Sequence, residues 1–134
     1  MSYTELVSTM TISSDLPSTV NENFRTAHFL NRAAKTASFT VWEDDTAGVP
    51  FDVYLCASAG GNVTVTLPDC TDVNGDAYIG RVVTIFKVDA ANDVIIDGDG
   101  SQPINGATTV TMSSQYNYRT IFSNGTEWFV ISSS

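Results

Sequence analysis

From residue 36 onward, apolar and polar side chains alternate at every second position, the period of a strand with one face buried and the other wet. Within 38–43, Phe39, Val41 and Glu43 fall on one face, and Thr40 and Trp42 on the other. The run 51–55 alternates apolar with polar or amphipathic residues. Gly60-Gly61 then turns the chain into 62–68, where Val63, Val65 and Leu67 oppose Thr64 and Thr66. Residues 81–88 are apolar on both faces, which predicts a central strand. Stretches at 94–96, 108–112, 116–122 and 127–131 bring the set to about eight strands.

Turn residues bound each stretch. Segments 44–50 and 69–80 are loops, Asp97-Gly98-Asp99-Gly100 turns the chain, and Asn105-Gly106 and Asn124-Gly125 are the dipeptides a primed hairpin turn needs. The spacing predicts an all-β fold over 36–134, an antiparallel β-sandwich of jelly-roll-like form.

Residues 1–35 follow neither the strand nor the helix period. Behind Pro17-Ser18, Val20, Phe24 and Ala27 lie along one narrow stripe, enough for a short helix. The expectation is an extended N-terminal arm that orders by docking on something else.

Composition narrows the function. A chain of 134 residues closes one core without a metal or a disulfide. The formal charge is −9. Residues 1–35 balance Arg25, Arg32 and Lys35 against Glu5, Asp15 and Glu22, so the whole excess lies from residue 36 onward. Such a field repels phosphate backbones, which excludes nucleic acid as the main partner. No apolar run is long enough to span a bilayer, so no membrane is expected either. The opening Met1-Ser2-Tyr3-Thr4-Glu5 lacks the basic start of a signal peptide, which predicts a chain kept in the cytosol unless it leaves inside a larger particle.

Candidate chemistry is sparse. The single histidine, His28, sits in the arm with no nucleophile motif beside it. The pairs Asp44/Asp45 and Asp97/Asp99 stand in turns, where aspartate is favoured for its own backbone bonds. Asp97-Gly98-Asp99-Gly100-Ser101 resembles half of a calcium loop, yet Thr108 stands where the bidentate glutamate belongs. Cys56 and Cys70 fit no metal spacing and read as two unlinked small residues. The expectation is no enzyme, no metal and no cofactor. Among the aromatics, Tyr116, Tyr118 and Phe122 share a strand face and read as core. Trp42 and Tyr54, on faces that otherwise read polar, are candidates for subunit contact.

Residues 62–131 resemble a module of tail-fibre, spike and head-decoration proteins of tailed bacteriophages. The line that carries the resemblance is Val63-Thr64-Val65-Thr66-Leu67-Pro68, Gly80-Arg81-Val82-Val83-Thr84-Ile85-Phe86-Lys87-Val88-Asp89, Val94-Ile95-Ile96-Asp97, Ile104-Asn105-Gly106-Ala107-Thr108-Thr109-Val110-Thr111-Met112 and Ser123-Asn124-Gly125-Thr126-Glu127-Trp128-Phe129-Val130-Ile131. Val20-Asn21-Glu22-Asn23-Phe24-Arg25 is similar to a short signature of the same proteins. The resemblance implies a homotrimer located in the virion, assembled in the bacterial cytoplasm. With no long shaft before the module, a capsid decoration or cement protein is the first expectation, partnered by the major capsid protein or another virion protein. Phe24, Arg25, Phe29, Leu30 and Arg32 would then grip the shell. A short tail fibre recognising host-surface glycan is the alternative.

Overall fold

Short β-branched runs separated by turn residues give nine strands and no helix among the described residues, which in this computed structural model are 31–43, 51–71 and 80–134. The strands are β1 (Arg32–Lys35), β2 (Phe39–Thr40), β3 (Val53–Cys56), β4 (Val63–Thr66), β5 (Val82–Lys87), β6 (Val94–Asp97), β7 (Thr109–Met112), β8 (Tyr118–Ser123) and β9 (Trp128–Ser133). They form a five-stranded sheet, β1-β3-β5-β8-β9, and a four-stranded sheet, β2-β4-β6-β7.

The topology is a coil before it is anything else. Three passes, β1-β2, β3-β4 and β5-β6, each lay one strand in the five-stranded sheet and the next in the four-stranded one. Successive passes therefore stack in parallel, with Ala33 opposite Tyr54 and Tyr54 opposite Ile85 in one sheet. In the other sheet Val63 stands opposite Val94, and Phe39, Val65 and Ile96 share a row. The chain then reverses. β7 runs antiparallel to β6, β8 antiparallel to β5, and β9 antiparallel to β8.

Two layers of sheet are as expected, but the antiparallel, jelly-roll-like strand order is corrected. Four of the seven strand pairings among the described residues are parallel. Parallel neighbours need a crossover connection, usually a helix. Here a strand in the opposite sheet serves as the crossover, so no helical signal accompanies it. The arm boundary also moves: Arg32–Lys35, assigned to the arm, is the edge strand β1, and Arg32–Ser134 forms one compact unit. The expected arm residues Phe24, Arg25, Phe29 and Leu30, and the short helix, lie outside the described residues.

Alternation places the core between the sheets. Val63, Val65, Val94, Ile96 and Met112 point inward from the four-stranded sheet; Tyr54, Cys56, Val83, Ile85, Ile121 and Trp128 meet them from the other. Each such aliphatic side chain contributes roughly 1.5–3 kcal/mol on burial. Two connections add plugs. Ile104, fully buried, is held by a tight turn in which Asn105 and Gly106 take φ of 52° and 81°, and its loop is tied to Trp128 through Asn105 N–H to Trp128 O at 3.0 Å. Gln102 ties the 98–103 loop to the 68–71 loop: its Oε1 accepts from Cys70 N–H at 3.0 Å and its Nε2 donates to Asp69.

Polar side chains brace the corners between sheets. Ser38 Oγ accepts from Thr64 N–H at 2.9 Å, and Asn62 Oδ1 accepts from Asp93 N–H at 3.0 Å. Each bond links one pass to the next, which fixes the rise of the coil.

Candidate functional site

The two sheets turn unlike faces to the outside. On the four-stranded sheet, Thr40, Thr66, Asp97 and Thr109 share one outer row, and Thr64, Ile95 and Thr111 another. That face is polar. On the five-stranded sheet the outer rows are Leu55, Phe86 and Tyr118; Val53, Thr84 and Thr120; and Val82, Phe122 and Phe129. These side chains alternate with the buried set and are half-buried or exposed, Val82 reaching 43%. None of the five strands contains an aspartate or glutamate. Apolar sheet faces of this kind mark contact surfaces.

The rim of that face carries two more apolar residues. Ile131 is 58% exposed, left over by a β-bulge where Thr120 pairs with Ser132 but Ile121 pairs with Val130. Tyr116 is 64% exposed and held at a φ of 66°, a left-handed conformation that a tyrosine adopts at a cost. Its backbone is pinned on both sides: Tyr116 N–H donates to Lys87 O at 2.8 Å, and its carbonyl accepts from Ser134 Oγ at 3.4 Å. The ring stands 6.4 Å from that of Phe86. Gln115 and Asn117 flank it, bonded to Val88 O and Ser134 O.

At the end of β5 lies a charged group that alternation had not singled out. Lys87 continues the inward row of Val83 and Ile85 and is fully buried. Its ammonium donates to Ser58 Oγ at 2.8 Å, Asp89 O at 2.7 Å and Asp89 Oδ1 at 3.0 Å. Asn92 Nδ2 donates to Ser58 O at 2.8 Å, closing the knot between the β3–β4 and β5–β6 corners. The Ser58 hydroxyl and the Lys87 ammonium, both donating to its carboxylate, hold Asp89 down at about 2. All these groups face one another across two turns of the coil, and the arrangement acts as a brace.

Tyr54 is corrected as a subunit-contact residue. It is 1% exposed, its ring packs on Phe39 and Phe51 at 4.8 and 5.8 Å, and its hydroxyl accepts from Trp42 N–H at 2.9 Å. Trp42 is half-buried against the core, donates its indole N–H to Phe51 O at 2.8 Å, and lies under the Arg81 guanidinium at 4.5 Å. Tyr118 and Phe122, expected in the core, stand on the outer face; Ile121 between them points in. Tyr116, also expected in the core, is at the surface. Arg32 is exposed on β1.

Asp97 lies on the outer row of β6 and Asp99 in the following turn. Among the described residues no group of three His, Cys, Asp or Glu is placed to hold a metal ion. Cys56 and Cys70 are free, buried thiols; burial pushes Cys56 up to about 12, and burial together with the neighbouring Asp69 raises Cys70. His28 lies outside the described residues. No model of a known protein family matches the chain, and no curated protein matches it.

Proposed function

We propose that this chain is a structural protein of a tailed-bacteriophage particle, a capsid decoration or cement protein that binds the assembled head as a homotrimer and stabilises it. The observation that supports this reading is the apolar outer face of the five-stranded sheet, bare of acids in a chain of charge −9. A coil braced from corner to corner, with such a face, is suited to joining other surfaces. Binding the assembled shell and not its free subunits stabilises the shell by mass action. Shell contact is assigned to Phe24, Arg25, Phe29, Leu30 and Arg32.

The test uses heads of the phage that encodes the chain. Full-length protein should bind intact heads saturably and raise the temperature at which they release DNA. The pair Phe24→Asp and Arg25→Glu should abolish binding with the strand content unchanged. Full-length protein that ignores intact heads would sink the proposal.

A second reading, a short tail-fibre module recognising host-surface glycan, is favoured by Tyr116, whose ring is displayed at the surface beside Gln115 and Asn117. Saturable adsorption to host cells, lost in Tyr116→Ala, is its signature.

A further inference from the structure

We infer that the outer face of the five-stranded sheet is where one copy of this chain packs against another. The inference rests on the assembly reading above and names the surface of its self-contact, leaving the shell to Phe24, Arg25, Phe29 and Leu30 and to Arg32 at the β1 edge of the sheet.

Charge selects the occupant. The acids nearest the sheet stand at strand ends and corners: Asp52 before β3, Asp89 after β5 and Glu127 before β9. Two copies can therefore meet across the five strands without placing carboxylate on carboxylate, and meet less easily elsewhere. A partner recruited by opposite charge would be drawn to that acidic rim, or to Arg32 at the β1 edge, and not to the uncharged middle.

Chemistry and size agree with a like partner. Half-buried Phe86, Phe122 and Phe129, spaced by Leu55, Val82 and Thr120, form a relief that the same face of neighbouring copies fills through interdigitating side chains when three copies turn these sheets toward a shared axis. Five strands at about 4.8 Å spacing and up to six residues at about 3.3 Å give a face of roughly 24 by 20 Å. Three copies so arranged would cover roughly 1,400 Å², above the threshold of about 1,000 Å² for a specific interface, before Tyr116 and Ile131 at the rim are added.

The experiment is sedimentation equilibrium of the full chain, alone and as the variant Phe86→Ser/Phe122→Ser. The unmodified chain should self-associate, and more strongly as salt screens the acidic rims. The variant should associate about a hundredfold more weakly or worse, with Trp128 fluorescence unchanged. An unmodified chain that stays a single copy at every concentration overturns the inference; so does a variant that associates as well as the parent.

If the variant fails to fold, Thr120→Cys in the otherwise unchanged chain decides. The native thiols are buried, so the introduced one reports alone. Its maleimide labelling should slow as the protein is concentrated, and labelling independent of concentration refutes the contact. The two proposals fail separately: self-association through this face without head binding removes the cement reading alone, and head binding by a chain whose face stays open removes the face alone.

Discussion

Replacing Lys87 by methionine keeps the length of the buried stem and deletes its ammonium. Three hydrogen bonds go with it, to Ser58 Oγ, Asp89 O and Asp89 Oδ1, and each involves a charged donor. Bonds of that class contribute roughly 1.5–3 kcal/mol each. Against this, removing a fully buried charge recovers several kcal/mol of desolvation. Asp89 Oδ1 keeps its bonds from Ser58 Oγ and Ala91 N–H, while Oδ2 is buried without a partner, so the carboxylate is left only half satisfied. The balance is a loss of about 2–4 kcal/mol for Lys87→Met. Urea unfolding at fixed protein concentration, followed by the fluorescence of buried Trp128 and by far-ultraviolet circular dichroism, measures it. For a chain of this size the melting temperature should fall by about 4 °C for each kcal/mol lost. A variant within about 0.5 kcal/mol of the parent would refute the view that the Lys87 knot holds neighbouring passes of the coil together.

Three further outcomes are expected. Asp89 has its carboxyl lowered from 3.8 to about 2, so its share of stability is complete above about pH 4 and is lost as pH falls through about 2; a carboxyl carbon titration by NMR with a midpoint near 3.8 contradicts this. Cys56 and Cys70 should resist a thiol reagent in the folded chain at neutral pH and both react once it is unfolded; fast labelling of either in native protein disproves their burial. Gly98→Ala should destabilise by about 2 kcal/mol or more, because a Cβ there would overlap the backbone carbonyl of Gln102, and an unchanged urea midpoint would show that the 98–102 turn can shift.

Much of the fold was legible because alternation reports burial directly. Val63, Val65 and Leu67 against Thr64 and Thr66 gave one strand with the right phase, and residues 81–88, apolar on both faces, proved to be the central strand β5. The Asn124-Gly125 turn joins β8 to β9, but only Gly125 takes a positive φ, 88°, so it is a wider loop closed by Asn124 N–H to Glu127 O and not the primed two-residue turn expected. Direction was not legible. A strand's period is 2 whether its neighbour runs with it or against it, and the neighbours here are set by pairings distant in sequence. Phase failed where both faces carry large side chains. Tyr54 was assigned outward because it follows Asp52, although Cys56 continues its row inward. Around β8 the aromatics Tyr116, Tyr118 and Phe122 drew attention from Ile121, the residue that enters the core. The contact face was missed for the same reason, since its phenylalanines belong to rows assembled from three different strands. Buried Lys87 carries no local signal at all; only Ser58 and Asp89, brought to it by the coil, make its position tenable.

The reversal after β6 also decides how such a molecule can change its length. An added pass needs a neighbour running in its own direction, and β7 and β8, which cover β6 and β5, run the other way, so they act as an end stop. A duplicated pair of strands inserted ahead of β5 would instead slide into the stack, matching rows already present. The molecule could thus be made taller by one storey while its terminal hairpin and the tyrosine beside it stayed as they are.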